Sequence, residues 1–285
     1  MTSVRQLAAM GTARLKAAGV ECADYDAKQL LFHCTGLTEG TYLADPQRRV
    51  TQEVQDRYDR LIHLREQRIP LQHILGHAWF YGREFTVNSD VLIPRPDTEV
   101  LVEEALKAIR PGDDVLDVCT GSGCILLTIA CEQKIRTGLG TDISAKALAV
   151  AEQNLTRLAG EMAGGVPAFA QGDLLDPAAG KVFDVIVSNP PYIPSRVIPV
   201  LAPEVRDHDP LGALDGGEDG LAFYRRLATG AEKVLRPGGV IFLEIGYDQA
   251  QAVSGLLRDA SFTDITVIRD YGGNDRVIRG VYGRS

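Results

Sequence analysis

The part of the chain after residue 113 alternates short apolar runs with helical stretches, and this pattern limits the possible folds more than any other feature of the sequence. Apolar runs predict strands at 115–118, 138–142, 168–170, 183–187 and 239–245, with two more near 263–269 and 275–282. Helical periodicity intervenes at 123–130, 145–158, 220–235 and 247–259. Such alternation is typical of a mostly parallel sheet with helices on both faces. We therefore predict an α/β fold whose ligand loops meet at the carboxyl ends of the strands.

The first 75 residues carry helical patterns alone. A capping box is indicated at Ser3, a second helix begins near Asp24, and a third begins near Thr51 and closes at Pro70. Between 78 and 93 the period changes to that of a β-hairpin. We therefore predict a bundle of three helices at 1–75, a β-hairpin linker at 76–96 and an α/β domain at 97–285.

Charge and cysteine content exclude several classes of protein. The 285 residues include 30 Lys and Arg and 38 Asp and Glu, a formal net charge of −8. Residues 1–75 hold 10 basic and 9 acidic side chains, which leaves 20 and 29 for the acidic remainder. That balance opposes wholesale binding of nucleic acid and suits a cationic ligand. Five cysteines without CxxC spacing argue against bound metal, and no apolar run approaches the roughly 20 residues of a membrane span, so we expect a cytoplasmic protein.

A polar segment begins at the end of the strand at 115–118 and continues beyond it. Its candidate ligand-binding residues are Asp117, Cys119, Thr120, Gly121, Ser122 and Gly123. The glycines allow a sharp turn and a close approach of the backbone to a ligand at a helix N-terminus. A GxGxxG fingerprint would place its third glycine on Leu126, and the GK[ST] sequence of a P-loop is absent. The loop therefore indicates a cofactor other than a nicotinamide dinucleotide or a triphosphate.

Acidic residues after the next two strands favour an adenosine group. Asp142 lies nineteen residues beyond Gly123, where a carboxylate can accept hydrogen bonds from both ribose hydroxyls. Asp173 can accept the exocyclic amine of adenine, and Leu174 can cover the face of the ring. The sequence leaves open which of these two contacts the adenine.

The segment Asn189-Pro190-Pro191-Tyr192 follows the strand at 183–187 and carries the sharpest chemical hypothesis. The prolines fix the backbone, so the Asn189 side-chain oxygen and the Pro190 carbonyl can both accept hydrogen bonds from one planar –NH₂ group. Accepting these hydrogen bonds directs the nitrogen lone pair toward an electrophile and stabilises the positive charge that develops on the nitrogen. Tyr192 offers a flat face for the planar group. We interpret all four residues as substrate-binding and the first two, Asn189 and Pro190, as catalytic, and we expect Asn189 to contact the cofactor as well.

In this order, the loop, the acid and the NPPY segment resemble the S-adenosylmethionine-dependent methyltransferases that act on planar amino or amide nitrogens. Further segments narrow the resemblance. Residues 70–76 resemble the family's P-x-Q-Y-I-x-G segment, 92–99 its IPRPETE segment, 213–221 its A-L-D-G-G-x-D-G-L run and 270–277 its D-x-x-G-x-D-R-V terminus. The chain is thus similar to the PrmC/HemK enzymes, the peptide chain release factor glutamine methyltransferases.

The resemblance implies a fold and an activity. The fold would be the class I methyltransferase fold, a Rossmann-like seven-stranded sheet whose last strand is antiparallel. The enzyme would transfer methyl from S-adenosylmethionine to the glutamine side-chain nitrogen in the GGQ motif of release factors, leaving S-adenosylhomocysteine. The helical bundle would help to grip the release factor, and a monomer would suit that large substrate. Departures from the family pattern are Cys119 for glycine, His73 for tyrosine, Leu174 for an aromatic residue and Asp209 for glutamate.

Two other functions compete with this interpretation. An adenine or cytosine amino methyltransferase acting on nucleic acid would use the same NPPY chemistry, but the acidic α/β part opposes it. A non-catalytic adaptor would retain the cofactor pocket as a relic, which the intact set of Asp117, Asp142 and Asn189 opposes. Arg95, between two prolines, is expected to contact a partner or to pair with Asp97 or Glu99.

Overall fold

The computed structural model describes residues 2–283 and divides into two compact units. The first ends at His77 and also takes in the segment Ala202–His208. The second comprises Ala78–Leu201 and resumes at Asp209. We call them the helical unit and the sheet unit. Within the described residues, no helix is long and apolar enough to cross a membrane.

The helical unit begins with five helices. They are α1 (Val4–Ala17), α2 (Ala23–Thr35), α3 (Glu39–Ala44), α4 (Gln52–Glu66) and α5 (Leu71–Leu75). The capping box at Ser3 is present. The sequence predicted three helices, and the prediction was wrong in number because α3 and α5 are too short to show a helical period. Pro70 separates α4 from α5, where it caps the start of the latter.

An apolar core holds these helices together. Leu15, Leu30, Leu31 and Ile62 are completely buried between α1, α2 and α4. Tyr58 is buried with them, and its hydroxyl donates to the carbonyl of Ala27 at 3.1 Å. Burial of each such side chain stabilises the fold by about 1.5–3 kcal/mol.

The segment Ala202–His208 joins the helical unit through ion pairs. It contains the short helix α9 (Pro203–Arg206), numbered by its place in the chain. Glu204 accepts hydrogen bonds from Arg65 at 2.9 Å and from Arg68 at 2.6 Å. Arg65 also donates to Asp26 at 2.7 Å, and both of those side chains are 7% exposed. No pattern in the sequence indicates this association, because the partners are 136 to 139 residues apart.

The sheet unit opens with a hairpin, as predicted, and continues with alternating strands and helices. The hairpin strands are β1 (His77–Phe80) and β2 (Arg83–Thr86). The remaining elements are α6 (Glu99–Ala108), β3 (Asp114–Val118), α7 (Cys124–Glu132), β4 (Thr137–Asp142), α8 (Ala145–Leu158), β5 (Ala168–Gln171), β6 (Phe183–Ser188), α10 (Leu211–Leu214), α11 (Ala222–Gly230), β7 (Leu235–Glu244), α12 (Ala250–Asp259), β8 (Phe262–Arg269) and β9 (Asp275–Tyr282).

Seven strands form one sheet in the order β5-β4-β3-β6-β7-β9-β8. Strands β3 to β7 pair in parallel, and β9 runs antiparallel to both β7 and β8. This confirms the predicted α/β fold and its antiparallel last strand. Strand β7 begins at Leu235, four residues before the predicted start, because Leu235 pairs with Phe183 ahead of a register shift.

Apolar layers cover both faces of the sheet. On one face, α6 and α7 contribute Leu101, Leu126 and Ile129, all completely buried. On the other face, α11 and α12 contribute Tyr224 and Leu257. Because both faces are covered, the central strands are buried along their length, and the polar loops can gather only at the ends of the sheet.

Candidate active site

Strands β4, β3 and β6 are neighbours in the sheet and point the same way, so their carboxyl ends lie side by side. The loops that follow them surround a cavity of about 410 Å³, a size typical of small-molecule sites. The wall includes these residues predicted from the sequence: Cys119, Thr120, Gly121, Ser122, Asp142, Asp173, Leu174, Asn189 and Pro191. The other predicted site residues, Asp117, Gly123, Pro190 and Tyr192, lie outside that wall.

The loop between β3 and α7 turns sharply because several of its residues have left-handed backbone. The φ angles are +62° at Cys119, +55° at Gly121 and +79° at Gly123. A Cβ atom on Gly123 would also lie 3.1 Å from the ring of Phe169. Cys119 is thus held in a left-handed conformation that favours glycine.

Asp117 contacts this loop through a hydrogen bond from Thr120. It is completely buried at the end of β3, and the Thr120 hydroxyl donates to its Oδ2 at 2.6 Å. Burial raises the pKa of Asp117 to about 7, although the bond from Thr120 opposes the change. The structure therefore gives Asp117 a contact with the loop, and its predicted contact with cofactor stays a prediction.

Asp142 is half-buried in the cavity wall at the end of β4. Its Oδ2 accepts a hydrogen bond from the backbone N–H of Gly121 at 2.9 Å, and its Oδ1 accepts one from Ser144 at 2.9 Å. Each carboxylate oxygen has two lone pairs, so both can accept a second donor. Two ribose hydroxyls are donors of the required kind.

Asp173 and Leu174 both reach the cavity from the loop after β5. Asp173 accepts a hydrogen bond from Arg226 at 2.7 Å through Oδ2. Leu174 is buried with a φ of +50°, and its carbonyl accepts from the Thr141 hydroxyl at 2.8 Å. The described contacts hold both residues in place, and the choice between them for adenine remains a prediction.

Asn189 begins the proline-rich loop after β6. The strand end is fixed by Ser188, whose hydroxyl donates to the Val118 carbonyl on β3 at 2.6 Å. Asn189 is half-buried in the cavity wall, and its Nδ2 donates to the hydroxyl of Thr98 at 3.2 Å. The side-chain oxygen of Asn189 is thereby left as the polar atom that can accept from a substrate.

Tyr192 is held against the sheet unit on two sides. Its hydroxyl donates to Oε1 of Glu244 at 3.3 Å, and its carbonyl accepts from Gln249 at 2.9 Å. A Cβ atom on Gly220, whose φ is +76°, would lie 2.4 Å from that carbonyl. Only glycine at this position of the run at 213–221 therefore allows the backbone to pack so closely on the proline-rich loop. Because the Tyr192 hydroxyl bonds Glu244, its predicted role as a platform for the substrate stays a prediction.

Glu244 lies at the carboxyl end of β7, behind this loop. It is 1% exposed, and burial raises its pKa to about 7 against the opposing effects of Thr98 and Arg276. Its Oε2 has no hydrogen-bond partner among residues 2–283. The sequence alone assigns Glu244 no role, because a position at the end of a strand does not reveal burial.

Further cavity residues escaped the sequence analysis. Thr98 and Phe223 line the wall, as does Ile143, which is 69% exposed. Arg95 also lines it and pairs with Asp209 at 2.6 Å. Of the two expectations for Arg95, pairing with Asp97 or Glu99 was wrong, because the fold brings Asp209, 114 positions away, beside it. Contact of Arg95 with a partner stays a prediction. The one sequence signal for a role of this segment before α6 is that Arg95 lies between two prolines.

No group of three or more metal-ligating side chains occurs within residues 2–283. The cavity instead offers carboxylate and amide oxygens beside an apolar wall. Such a site can hold a small cationic molecule with a polar end and an apolar body.

Comparison with known sequences finds relatives along nearly the whole chain. Residues 6–76 match the PrmC N-terminal domain, and residues 96–199 match the methyltransferase small domain. A release factor glutamine methyltransferase of Caulobacter vibrioides is 43% identical over 270 residues, which cover 94% of this chain and 92% of that protein. One of Agrobacterium fabrum is 39% identical over 274 residues, which cover 93% of this chain and 92% of that protein.

A solved structure shows the same fold. A methyltransferase of Pyrococcus furiosus superimposes with a TM-score of 0.53 at 18% identity, covering 72% of this chain and 91% of that one. A release factor-specific protein-(glutamine-N5) methyltransferase of Alicyclobacillus acidocaldarius is 34% identical, with a TM-score of 0.42, covering 70% of this chain and all of that one.

Proposed function

The chain belongs to the release factor glutamine methyltransferase family, and we propose that it transfers a methyl group from S-adenosylmethionine to the glutamine side-chain nitrogen in the GGQ motif of peptide chain release factors. The observation that carries the proposal is the placement of Asn189. Its amide oxygen is available in the wall of a cavity that also contains the glycine loop and Asp142.

The cavity suits S-adenosylmethionine as cofactor. Asp142 would hold the ribose, the loop from Asp117 to Gly123 would surround the amino acid part, and Asp173 or Leu174 would contact the adenine. The acidic character of the chain, with a net charge of −8, favours a positively charged ligand. When bound, S-adenosylmethionine supplies the methyl group as an electrophilic carbon on a sulfonium.

Asn189 and Pro190 would bind and orient the substrate amide. The Asn189 oxygen and the Pro190 carbonyl would each accept one hydrogen bond from the –NH₂ group, while Pro191 and Tyr192 shape the loop around it. The two acceptors would hold the nitrogen lone pair toward the methyl group and stabilise positive charge on the nitrogen during transfer. A strong general base is not needed, because the nitrogen proton becomes acidic once the methyl group is attached.

We further assign the parts of the chain and its partners. Residues 1–75 would dock the release factor, 76–96 would link, and 97–285 would be the methyltransferase domain. The partner would be a protein substrate, without direct binding of nucleic acid or membrane, and the enzyme would act as a monomer in the cytoplasm. Sedimentation of the purified protein would test the monomer, and cross-linking to a release factor would test docking by residues 1–75.

The function is tested by incubating the protein with S-adenosylmethionine labelled on the methyl group. Separate reactions contain a release factor, the same factor with its GGQ glutamine replaced by asparagine, tRNA, and duplex DNA. We expect label in the first reaction alone, as methylglutamine after digestion. Label in tRNA or DNA would favour the nucleic-acid methyltransferase, and cofactor binding without transfer to any of them would favour the adaptor.

A further inference from the structure

A buried polar chain lies behind Asn189. The Asn189 Nδ2 donates to the Thr98 hydroxyl, which is 2% exposed on the 3₁₀ turn Pro96–Thr98. The Thr98 side chain is also near enough to the Glu244 carboxyl to lower its pKa. We propose that Thr98 and Glu244 are positioning residues that hold the Asn189 amide with its oxygen toward the substrate. This inference rests on the proposed function.

The amide of Asn189 has two ends that differ in chemistry but little in shape. When its oxygen faces the substrate, it accepts a hydrogen bond from the substrate –NH₂ group. When its nitrogen faces the substrate, two –NH₂ donors meet and no hydrogen bond forms between them. Thr98 alone does not select between these orientations, because a hydroxyl both donates and accepts. A second group must therefore set the direction of the hydrogen bond between Thr98 and Asn189.

Glu244 supplies that direction when it is ionised, because a carboxylate only accepts. Its Oε1 already accepts from Tyr192, and its Oε2 has no partner among the described residues 2–283. A buried carboxylate oxygen requires a donor, and the Thr98 hydroxyl proton can meet that need. Once Thr98 donates to Glu244, its oxygen is left to accept from the Asn189 Nδ2, and the Asn189 oxygen faces the cavity.

Protonation of Glu244 removes this direction. A neutral carboxylic acid can donate to Thr98, which frees the Thr98 proton for the Asn189 oxygen and allows the amide to turn. Burial raises the pKa of Glu244 to about 7, so the change falls near neutral pH. The charged and titratable groups that face it are Tyr192 after β6, Arg276 on β9, Asp97 before α6, Tyr224 on α11 and Cys124 on α7. Methyl transfer is therefore expected to rise as pH increases through about 7.

The first experiment changes Thr98. We expect Thr98→Val to lower kcat about 10- to 100-fold, because the amide is no longer held, while affinity for S-adenosylmethionine by calorimetry changes less than about threefold. Thr98→Ser keeps the hydroxyl and should recover most of the rate. Thr128→Val is the matched control, since Thr128 is completely buried on α7 and lies outside the polar chain. A Thr98→Val enzyme with the wild-type kcat would overturn the proposal.

The second experiment changes Glu244 and measures pH dependence. Glu244→Gln keeps the shape but can donate or accept, so kcat should fall about tenfold and lose its rise through pH 7. Infrared difference spectra of the cofactor-free protein, wild type minus variant, should show a carboxyl that titrates near 7. A Glu244→Gln enzyme with the wild-type pH profile would refute the role of Glu244.

These outcomes separate the inference from the proposed function. If the wild-type protein methylates no release factor at any pH, the proposed function fails, and the infrared titration of Glu244 is unaffected. If the wild type methylates its substrate and the Thr98 and Glu244 variants behave as the wild type does, the function stands and the positioning role is wrong.

Discussion

Two acids of the helical unit, Asp26 and Glu204, differ in their surroundings from two acids near the cavity of the sheet unit, Asp117 and Glu244. In the helical unit, Asp26 and Glu204 contact guanidinium groups of Arg65 and Arg68. Burial alone would raise the pKa of Glu204, but hydrogen bonds from Arg68 and Arg65 outweigh it and lower the pKa to about 2. In the sheet unit, Asp117 and Glu244 lie near the cavity without a hydrogen-bonded cation among the described residues, and burial raises the pKa of each to about 7.

This difference distinguishes ion-paired acids, which stabilise the fold, from acids without a hydrogen-bonded cation, which can change protonation state near the cavity. A paired buried charge is costly to break, since removal of one partner leaves the other desolvated. An unpaired buried acid is costly to ionise, and its protonation changes in the pH range in which the enzyme works. We therefore expect substitutions in the first set to change stability and substitutions near the second set to change catalysis.

The largest effect is expected from Arg65→Met. Removing this buried guanidinium leaves Asp26 and Glu204 without a partner they share, and should lower the free energy of unfolding of the helical unit by about 3–5 kcal/mol. Hydrogen exchange in α1 and α2 would measure it. Arg14→Met is the control, because Arg14 is 37% exposed and its pairs with Asp59 and Glu66 are worth about 1 kcal/mol or less. Equal effects of the two variants would contradict the comparison.

Asn189→Ala is expected to act on the reaction and little on the fold. Loss of one acceptor for the substrate amide should raise the barrier by about 2–4 kcal/mol, so kcat falls roughly 30- to 1,000-fold. Stability and cofactor affinity should change little, since Asn189 is half-buried and its described bond is to Thr98 alone. Single-turnover methylation measures the rate. Transfer at the wild-type rate would remove Asn189 from the catalytic role.

Asp142→Ala is expected to weaken cofactor binding without a comparable loss of stability. Hydrogen bonds to a charged acceptor contribute about 1.5–3 kcal/mol, so the dissociation constant measured by calorimetry should rise at least tenfold. Asp259→Ala, at the exposed end of α12, is the matched control and should bind as the wild type does. Unchanged affinity in the Asp142 variant would rule out the ribose assignment.

The two sets of acids, Asp117 and Glu244 on one side and Glu204 on the other, should respond to pH with opposite signs. Asp117 and Glu244 have pKa values raised to about 7, so the stability they contribute is full below their ordinary values near 4 and is lost as pH rises through about 7. Each should contribute a slope of about −1.4 kcal/mol per pH unit in that window. The contribution of Glu204 is present above its ordinary value and lost as pH falls toward about 2. Urea titrations from pH 5 to 8 with Asp117→Asn should show a shallower decline than the wild type; an identical decline would contradict the sign.

The smallest effect concerns backbone strain at the cavity. Because Cys119 has a φ of +62°, Cys119→Gly should be about 1 kcal/mol more stable than Cys119→Ala. The same pair of substitutions at Cys131, within helix α7, should show the reverse order, since glycine is less favourable than alanine in a helix by about 1 kcal/mol. Thermal unfolding of the four variants would measure both differences. If glycine and alanine ranked the same way in stability at both positions, the backbone at Cys119 would not be strained.

Local sequence patterns predicted most of the fold. Alternating periods located all seven strands of the sheet, and the βαβ order implied that β3, β4 and β6 would end near one another. That order also brought Asp142, Asn189 and the glycine loop to one cavity. These predictions succeeded because they depend on residues close together in sequence and on the handedness of the crossovers.

The features that were missed depend on distant residues. Thr98 meets Asn189 across 91 positions, and Glu204 meets Arg65 across 139. Neither contact has a local pattern, because a lone hydroxyl or carboxylate in a polar segment is equally suited to solvent. The short helices α3 and α5 were missed for another reason, since six and five residues are too few to establish a period.

The excursion of Ala202–His208 into the helical unit has a consequence for how this architecture can be taken apart. A protease cut or a gene fusion placed at residue 77 would separate Arg65 and Arg68 from Glu204, which would remain on the other fragment. The amino-terminal helices are therefore not a module that can be exchanged for another by joining genes end to end. A chimaera would have to exchange Ala202–His208 together with the amino-terminal helices. For the same reason, we expect substitutions in these two stretches to compensate one another during evolution.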